Sequence, residues 1–192
     1  MLTNNIILLT GIAGTGKMTI GETIVKQNPH IKLAIPDIWF GPVLKLLGDN
    51  EQVMWSLDEK GWAAVNQALD VMLYTIAEVC SKESNFVITS EMLADNPYHQ
   101  NFFERIQHAA TKRAATLTPV RLLCELNELL FRVQNKSRSA YFKTRDVELI
   151  KKRFTEEQVF FSKMPNEFTL DVTHLTPDES AANIMQWVTS NQ

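Results

Sequence analysis

A three-layer α/β fold built on one parallel sheet is predicted by three observations. Five short, mostly apolar runs (Asn5–Thr10, Lys32–Ile35, Asn85–Thr89, Pro119–Cys124 and Phe168–Val172) are separated by stretches of helical periodicity. Apolar rather than alternating strands are those covered on both faces, and strand–helix alternation means βαβ units. A glycine-rich loop joins the first run to the first helical stretch, and no Pro/Gly/Ser-rich linker splits the 192 residues. One domain over residues 1–192 is therefore expected, long enough to bury a sizeable core.

Each element has a local reason. Ile6-Ile7-Leu8-Leu9 sits between Asn4-Asn5 and Gly11, which bounds a buried strand. The first helix runs from Gly16 to about Gln27 and is ended by Asn28-Pro29. Trp62, Val65, Leu69, Met72, Ile76 and Val79 recur at three and four, so Asp58–Cys80 reads as one amphipathic helix. Ser56 with Glu59 reads as its capping box. A further helix starts near Asp95-Asn96-Pro97, and Glu125–Gln134 and Asp146–Phe161 are helical in pattern. Thr176-Pro177-Asp178-Glu179 supplies an N-cap, a first-turn proline and a second capping box. The amphipathic face of Asp58–Cys80 suits packing on its own sheet or on a second subunit, so a homodimer is one arrangement the pattern allows.

Composition narrows the function classes. Lys and Arg number 19 and Asp and Glu 22, a net charge of −3, with 45% hydrophobic residues. That excludes disorder as the main description and lacks the basic footprint of a nucleic-acid binder. The apolar run near the N-terminus is too short for a signal peptide or a membrane span. Cys80 and Cys124 have no CxxC spacing and read as free buried thiols, which together with these absences makes the cytoplasm the expected compartment. His30, His99, His108 and His174 share no metal-ligand spacing.

The stretch that carries chemistry is Gly11-Ile12-Ala13-Gly14-Thr15-Gly16-Lys17-Met18-Thr19. It fits Gly-x4-Gly-Lys-x-Thr and stands between a strand and a helix, the context of a phosphate-binding loop. Glycines let amide groups turn inward as a nest for phosphate oxygens, and the helix N-terminus adds N–H donors and a favourable dipole. Lys17 supplies a full positive charge. The position after the lysine is usually Ser or Thr and binds Mg²⁺; here it is Met18, which does not, and the hydroxyl follows at Thr19.

Two acids stand where strands end, in the crevice where α/β sheets bind ligands. Ile35-Pro36-Asp37-Ile38-Trp39-Phe40 follows the second strand. Asp37 reads as a group that orients and deprotonates an acceptor hydroxyl or holds Mg²⁺ through water, or else as a turn aspartate beside core aromatics. Thr89-Ser90-Glu91 follows the third strand, where Glu91 reads as a support for metal or acceptor, or as part of a helix cap. Trp39, Phe40, Trp55 and Trp62 make the region about 37–62 aromatic and weakly charged, suited to a flat or apolar acceptor or to core packing. Asn135–Arg145 carries Lys136, Arg138, Lys143 and Arg145 with no acid, which reads as a solvated basic loop or as an anion-handling lid.

The loop with its Lys-Met-Thr ending resembles the Gly-Lys-Gly-Thr form of adenylate-kinase-like enzymes, and the order of segments resembles the P-loop kinases related to shikimate and gluconate kinases. The resemblance covers nearly the whole chain, and only the phosphate loop is a specific motif. It implies the P-loop fold with strand order 2-3-1-4-5, a basic lid over about 132–146, and ATP with Mg²⁺ as cofactors. It implies that Gly11, Ala13, Gly14, Thr15, Gly16, Lys17, Met18 and Thr19 bind the triphosphate. Arg132 matches an arginine near the base and Arg138 one that reaches phosphate, with Lys143 and Arg145 joining the lid. Asp171 and Thr173, in an LDVT element ahead of a capped helix, match positions near the adenine, although strand-end turn chemistry explains them equally. Mg²⁺ is implied mainly through water, with Thr19, Asp37 and Glu91 as candidate contacts.

The expected function is ATP-dependent phosphoryl transfer to a small acceptor such as a nucleoside, nucleotide or aromatic metabolite, with Lys17, Asp37, Arg132 and Arg138 as catalytic groups and Asp37, Trp39, Phe40 and Glu91 facing the acceptor. An NTPase or nucleotide-binding regulatory module without an acceptor is the alternative, and a binding protein that lost metal chemistry at Met18 is a third reading. No nucleic-acid or membrane partner is expected.

Overall fold

The computed structural model describes residues 2–48, 53–135 and 144–191. Lys136, Arg138 and Lys143 of the expected lid and the side chain of Trp55 lie outside the described residues. The five strands are β1 (Asn5–Thr10), β2 (Ile31–Ala34), β3 (Asn85–Ser90), β4 (Thr116–Leu123) and β5 (Phe168–Asp171). All ladders are parallel and the order is β2-β3-β1-β4-β5. Among the described residues seven α-helices accompany them: α1 (Lys17–Gln27), α2 (Pro36–Leu47), α3 (Glu59–Tyr74), α4 (Pro97–Arg113), α5 (Leu126–Val133), α6 (Val147–Glu156) and α7 (Pro177–Ser190).

Successive side chains of a strand point to opposite faces, and the central strand divides accordingly. Ile6 and Leu8 of β1 pack with Phe40 and Leu44 of α2, Val65, Leu69 and Met72 of α3, and Phe102 and Ile106 of α4. Ile7 and Leu9 pack with Ile20 and Ile24 of α1, Leu129 of α5, Ile150 of α6 and Ile184 of α7. Helices on both faces explain why every residue of β1 is buried.

The structure departs from the sequence reading at several points. The sequence reading expected no helix at residues 36–47: α2 begins at Pro36 just after the second strand and continues through Gly41 and Pro42. Proline at the first helical position costs nothing, because that N–H has no intrahelical partner. The cap of α3 is Asp58, whose Oδ1 accepts from the Gly61 N–H at 2.8 Å. Ser56 lies in a 3₁₀ turn over Val53–Ser56 and donates to the Val53 carbonyl at 3.0 Å. The long helical stretch ends in a π-helical turn over Thr75–Val79 rather than running on as α-helix. The following loop is held by Arg113, fully buried at the end of α4, which donates to the carbonyls of Ile76, Cys80, Ser81 and Ser84. Cys80 is only half-buried, whereas Cys124 is buried. Helix α6 stops at Glu156, and the chain then pairs with the segment after β3 through Ala94 N–H to Gln158 O and Phe160 N–H to Met92 O. The capping box at Thr176 forms as the sequence predicts. Among the described residues no helix is long and apolar enough to cross a membrane.

Candidate active site

The phosphate loop leaves β1 in the middle of the sheet and enters α1. Gly11, Gly14 and Gly16 have φ of 150°, 102° and 87°. A Cβ on Gly11 would lie 2.7 Å from the Leu122 carbonyl oxygen, and one on Gly14 2.9 Å from Val133 Cγ2. At Gly16 the constraint is conformation alone: it is the left-handed N-cap of α1, with no side-chain cap on the helix. The Lys17 ammonium donates to the Gly11 and Ile12 carbonyls at 2.7 and 3.0 Å, which holds its charge over the loop. Thr15 departs from its expected place. Its hydroxyl donates to the Ile12 carbonyl at 2.9 Å, its N–H points the same way at 3.3 Å, and the residue is buried. It braces the loop and is not among the residues that line the cavity.

Ala13, Gly14, Gly16, Lys17, Met18 and Thr19 form one end of a cavity of about 490 Å³. The other end brings together residues far apart in sequence. Asp37, half-buried in the first turn of α2, and Phe40, one turn on, line it together with Trp62, Val65 and Leu69 of α3. Ser90 and Glu91 arrive from the end of β3, Tyr98 and His99 from the start of α4, and Arg153 from α6. Trp39 does not line the cavity and is 37% exposed. On α2, Phe40 rather than Trp39 points into the fold, because a 100° step per residue separates their faces. Trp62 stacks on Tyr98 with ring centroids 4.8 Å apart.

Glu91 is paired with Arg153 at 2.6 Å, and the arginine side chain is only 9% exposed. Burial pulls the His99 imidazole below its ordinary 6.5, with Glu91 raising it and Arg153 lowering it further. Its Nδ1 accepts from the Leu93 N–H at 3.0 Å. Arg153, His99 and Asn66 are cavity residues that the sequence reading did not single out. The basic stretch preceding Arg153 and the Asn-Pro start of α4 were their only local signals.

The remaining expected residues lie outside the cavity lining. Arg132 donates to Glu128 at 2.7 Å and to the Val172 and Thr173 carbonyls at 2.9 and 3.1 Å. Its Nη1 is 4.0 Å from where a Gly16 Cβ would be, so it bridges the phosphate loop and the β5–α7 loop. Thr173 Oγ1 donates to Asp171 at 2.5 Å and accepts from the Glu125 N–H at 2.9 Å. The Thr173 hydroxyl, and the Thr173 N–H that donates to the same oxygen at 2.9 Å, hold the Asp171 carboxyl below its ordinary value, while the Glu125 bond ties the ends of β4 and β5 together. Both side chains are thus engaged in turn chemistry. Arg145 donates to the Gln134 carbonyl at 3.4 Å, and Thr144 beside it lines the cavity.

The loop fits a triphosphate: three left-handed glycines, a helix start without a side-chain cap, and a lysine above it. The metal's fit is looser. Among the described residues no three His, Cys, Asp or Glu side chains gather as a metal site, and a thioether at Met18 is a poor partner for a hard cation. Thr19, Asp37 and Glu91 all border the cavity, which suits Mg²⁺ held by phosphates and water.

No protein-family model matches the chain, and no curated protein matches its sequence. Solved structures do match over the whole chain. A kinase-like protein of Chloroflexus aurantiacus superposes with a TM-score of 0.66 at 20% identity, covering 100% of both chains. The chain has the fold of the P-loop small-molecule kinases. A gluconokinase of Sinorhizobium meliloti superposes on this kinase fold with a TM-score of 0.62 at 14% identity, over 99% of this chain and 94% of that one. The APS kinase of Mycobacterium tuberculosis, solved with AMPPNP and APS, does so at 0.59 and 14%, over 98% and 99%.

Proposed function

We propose that the chain is an ATP- and Mg²⁺-dependent phosphotransferase acting on a hydroxyl of a small acceptor with an apolar or aromatic body. The observation that carries this reading is the continuity of one cavity from the phosphate loop to Asp37. A loop alone would serve any nucleotide-binding protein. A loop that opens into a chamber with apolar walls and a carboxylate has room for a second substrate.

Lys17 and the amides of the loop hold the triphosphate and stabilise charge on the transferring group. Asp37 orients the acceptor hydroxyl and takes its proton as the oxygen bonds to the γ-phosphorus and ADP leaves. Thr19, Asp37 and Glu91 would hold Mg²⁺ through water, and the ion would supply neutralising charge on the phosphates. Arg132 lies beside the loop as an electrostatic support, and Arg138 is assigned the same role from the lid. The wall of Phe40, Val65, Leu69 and Phe102 excludes water, which favours transfer over hydrolysis.

The test is incubation of the protein with ATP, Mg²⁺ and a metabolite extract, with mass spectrometry for new phosphate monoesters. Products of mass increased by one phosphoryl group are expected, and none with Lys17→Ala. Steady ATP hydrolysis without any phosphorylated product would sink the reading.

A further inference from the structure

Two polar side chains that line the cavity, Asn66 and His99, are each held at one polar atom by a partner elsewhere in the fold. Arg105 of α4 donates through Nη1 to Asn66 Oδ1 at 2.8 Å and through Nη2 to the Asn66 carbonyl at 2.9 Å. The same guanidinium is held by Asp70 at 2.6 Å. A guanidinium only donates, so the Asn66 carboxamide has one orientation, with oxygen toward Arg105 and the NH₂ group on its other side. Asn66 borders the cavity, and its Nδ2 has no hydrogen-bond partner among the described residues.

His99 is arranged in the same way. Its Nδ1 accepts from the Leu93 N–H, so the neutral ring carries its proton on Nε2. Burial favours that neutral form. Nε2 has no partner among the described residues. Asn66 and His99 therefore offer two fixed, uncharged donors.

Charge points in the same direction. Among the described lining residues the cations are Lys17, held at the phosphate loop, and Arg153, matched by Glu91 at 2.6 Å. Asp37, Glu91 and Glu157 are the acids. An anionic acceptor would have to displace Glu91 from Arg153 or sit beside Asp37 and Glu91, where like charges repel.

We infer that Asn66, oriented by Arg105, and His99, oriented by the Leu93 backbone, recognise an uncharged acceptor whose carbonyl, ether or hydroxyl oxygens accept their hydrogen bonds. This rests on reading the cavity as the acceptor site, and it makes Arg105 a positioning residue. It selects nucleosides and neutral aromatic alcohols over nucleotides and carboxylates.

The test titrates the full chain, with and without AMPPNP, with two probe pairs: uridine and uridine 5′-monophosphate, and 4-(hydroxymethyl)benzamide and 4-(hydroxymethyl)benzoate. The uncharged member of each pair is expected to bind about tenfold tighter or more. Asn66→Asp keeps an oxygen for Arg105 but removes the donor, so it should weaken the uncharged probes about tenfold with unchanged melting temperature and AMPPNP affinity. Tighter binding of the anions, no binding of either uncharged probe, or unchanged affinity in Asn66→Asp overturns the inference. Failure of AMPPNP to bind overturns the kinase reading instead, and the titration without AMPPNP still tests the donors.

Discussion

The two ends of the cavity are built on opposite principles. The proposed phosphate end comes from one loop of nine consecutive residues, 11–19, and the groups proposed to bind there are mostly backbone amides shaped by glycine. Its one charged side chain, Lys17, folds back onto the carbonyls of its own loop. The proposed acceptor end is assembled from α2, α3, the end of β3, α4 and α6, and its polar side chains are oriented by other side chains: Asn66 by Arg105, and Glu91 by Arg153. A triphosphate is the same in every enzyme that uses it, so a local backbone cradle suffices. An acceptor differs from enzyme to enzyme, and only side chains from several elements surround an arbitrary shape.

If the ends are separable, substitutions should sort cleanly. The largest effect is expected at Asp37→Asn, with turnover falling about 10²–10⁴-fold and AMPPNP affinity by calorimetry unchanged. A parallel loss of affinity would mean the two ends share Asp37. Lys17→Ala is expected to weaken AMPPNP about a hundredfold, the worth of lost charge-assisted hydrogen bonds, while binding of an uncharged probe at the acceptor end persists. Gly14→Ala, which forces a Cβ against Val133 at φ 102°, should lower stability by about 1–3 kcal/mol in denaturant melts and weaken AMPPNP as well. Arg153→Gln leaves the Glu91 carboxylate partly buried without its partner. A loss of about 1–3 kcal/mol is expected, and Glu91→Gln in the same chain should recover part of it.

The smallest effect concerns pH. The folded His99 binds its proton more weakly than the ordinary 6.5 of the unfolded chain. Its contribution to stability is therefore present above about pH 6.5 and is lost as pH falls below it. Unfolding free energies measured across this range should decline toward acid, and His99→Gln should flatten that decline.

The phosphate loop was legible because glycine spacing, a lysine and a helix start are all local. The sheet order came from the resemblance, and the parallel ladders agree with it. Trp39 and Phe40 were not separable in sequence: both are aromatic and adjacent, and only the start of α2 at Pro36 decides that Phe40 faces the cavity. Asp171 and Thr173 matched positions near the adenine only through the resemblance of the LDVT element, with turn chemistry as the other reading, and in the structure the Thr173 hydroxyl ties β5 to the Glu125 amide. Asn66 and Arg105 give no local signal, since they are 39 residues apart and meet only where α3 packs on α4.

What the sequence by itself determined is the alternation of strand and helix, the nucleotide loop, the helix cap at Thr176 and the helix start near Asn96, since each depends on neighbours within a few residues. The tertiary structure alone decided which carboxylates, amide and imidazole line the cavity. Those orientations are set by hydrogen bonds and ion pairs across 6 to 62 residues of chain, from Leu93–His99 to Glu91–Arg153, and they come into being only when the helices pack.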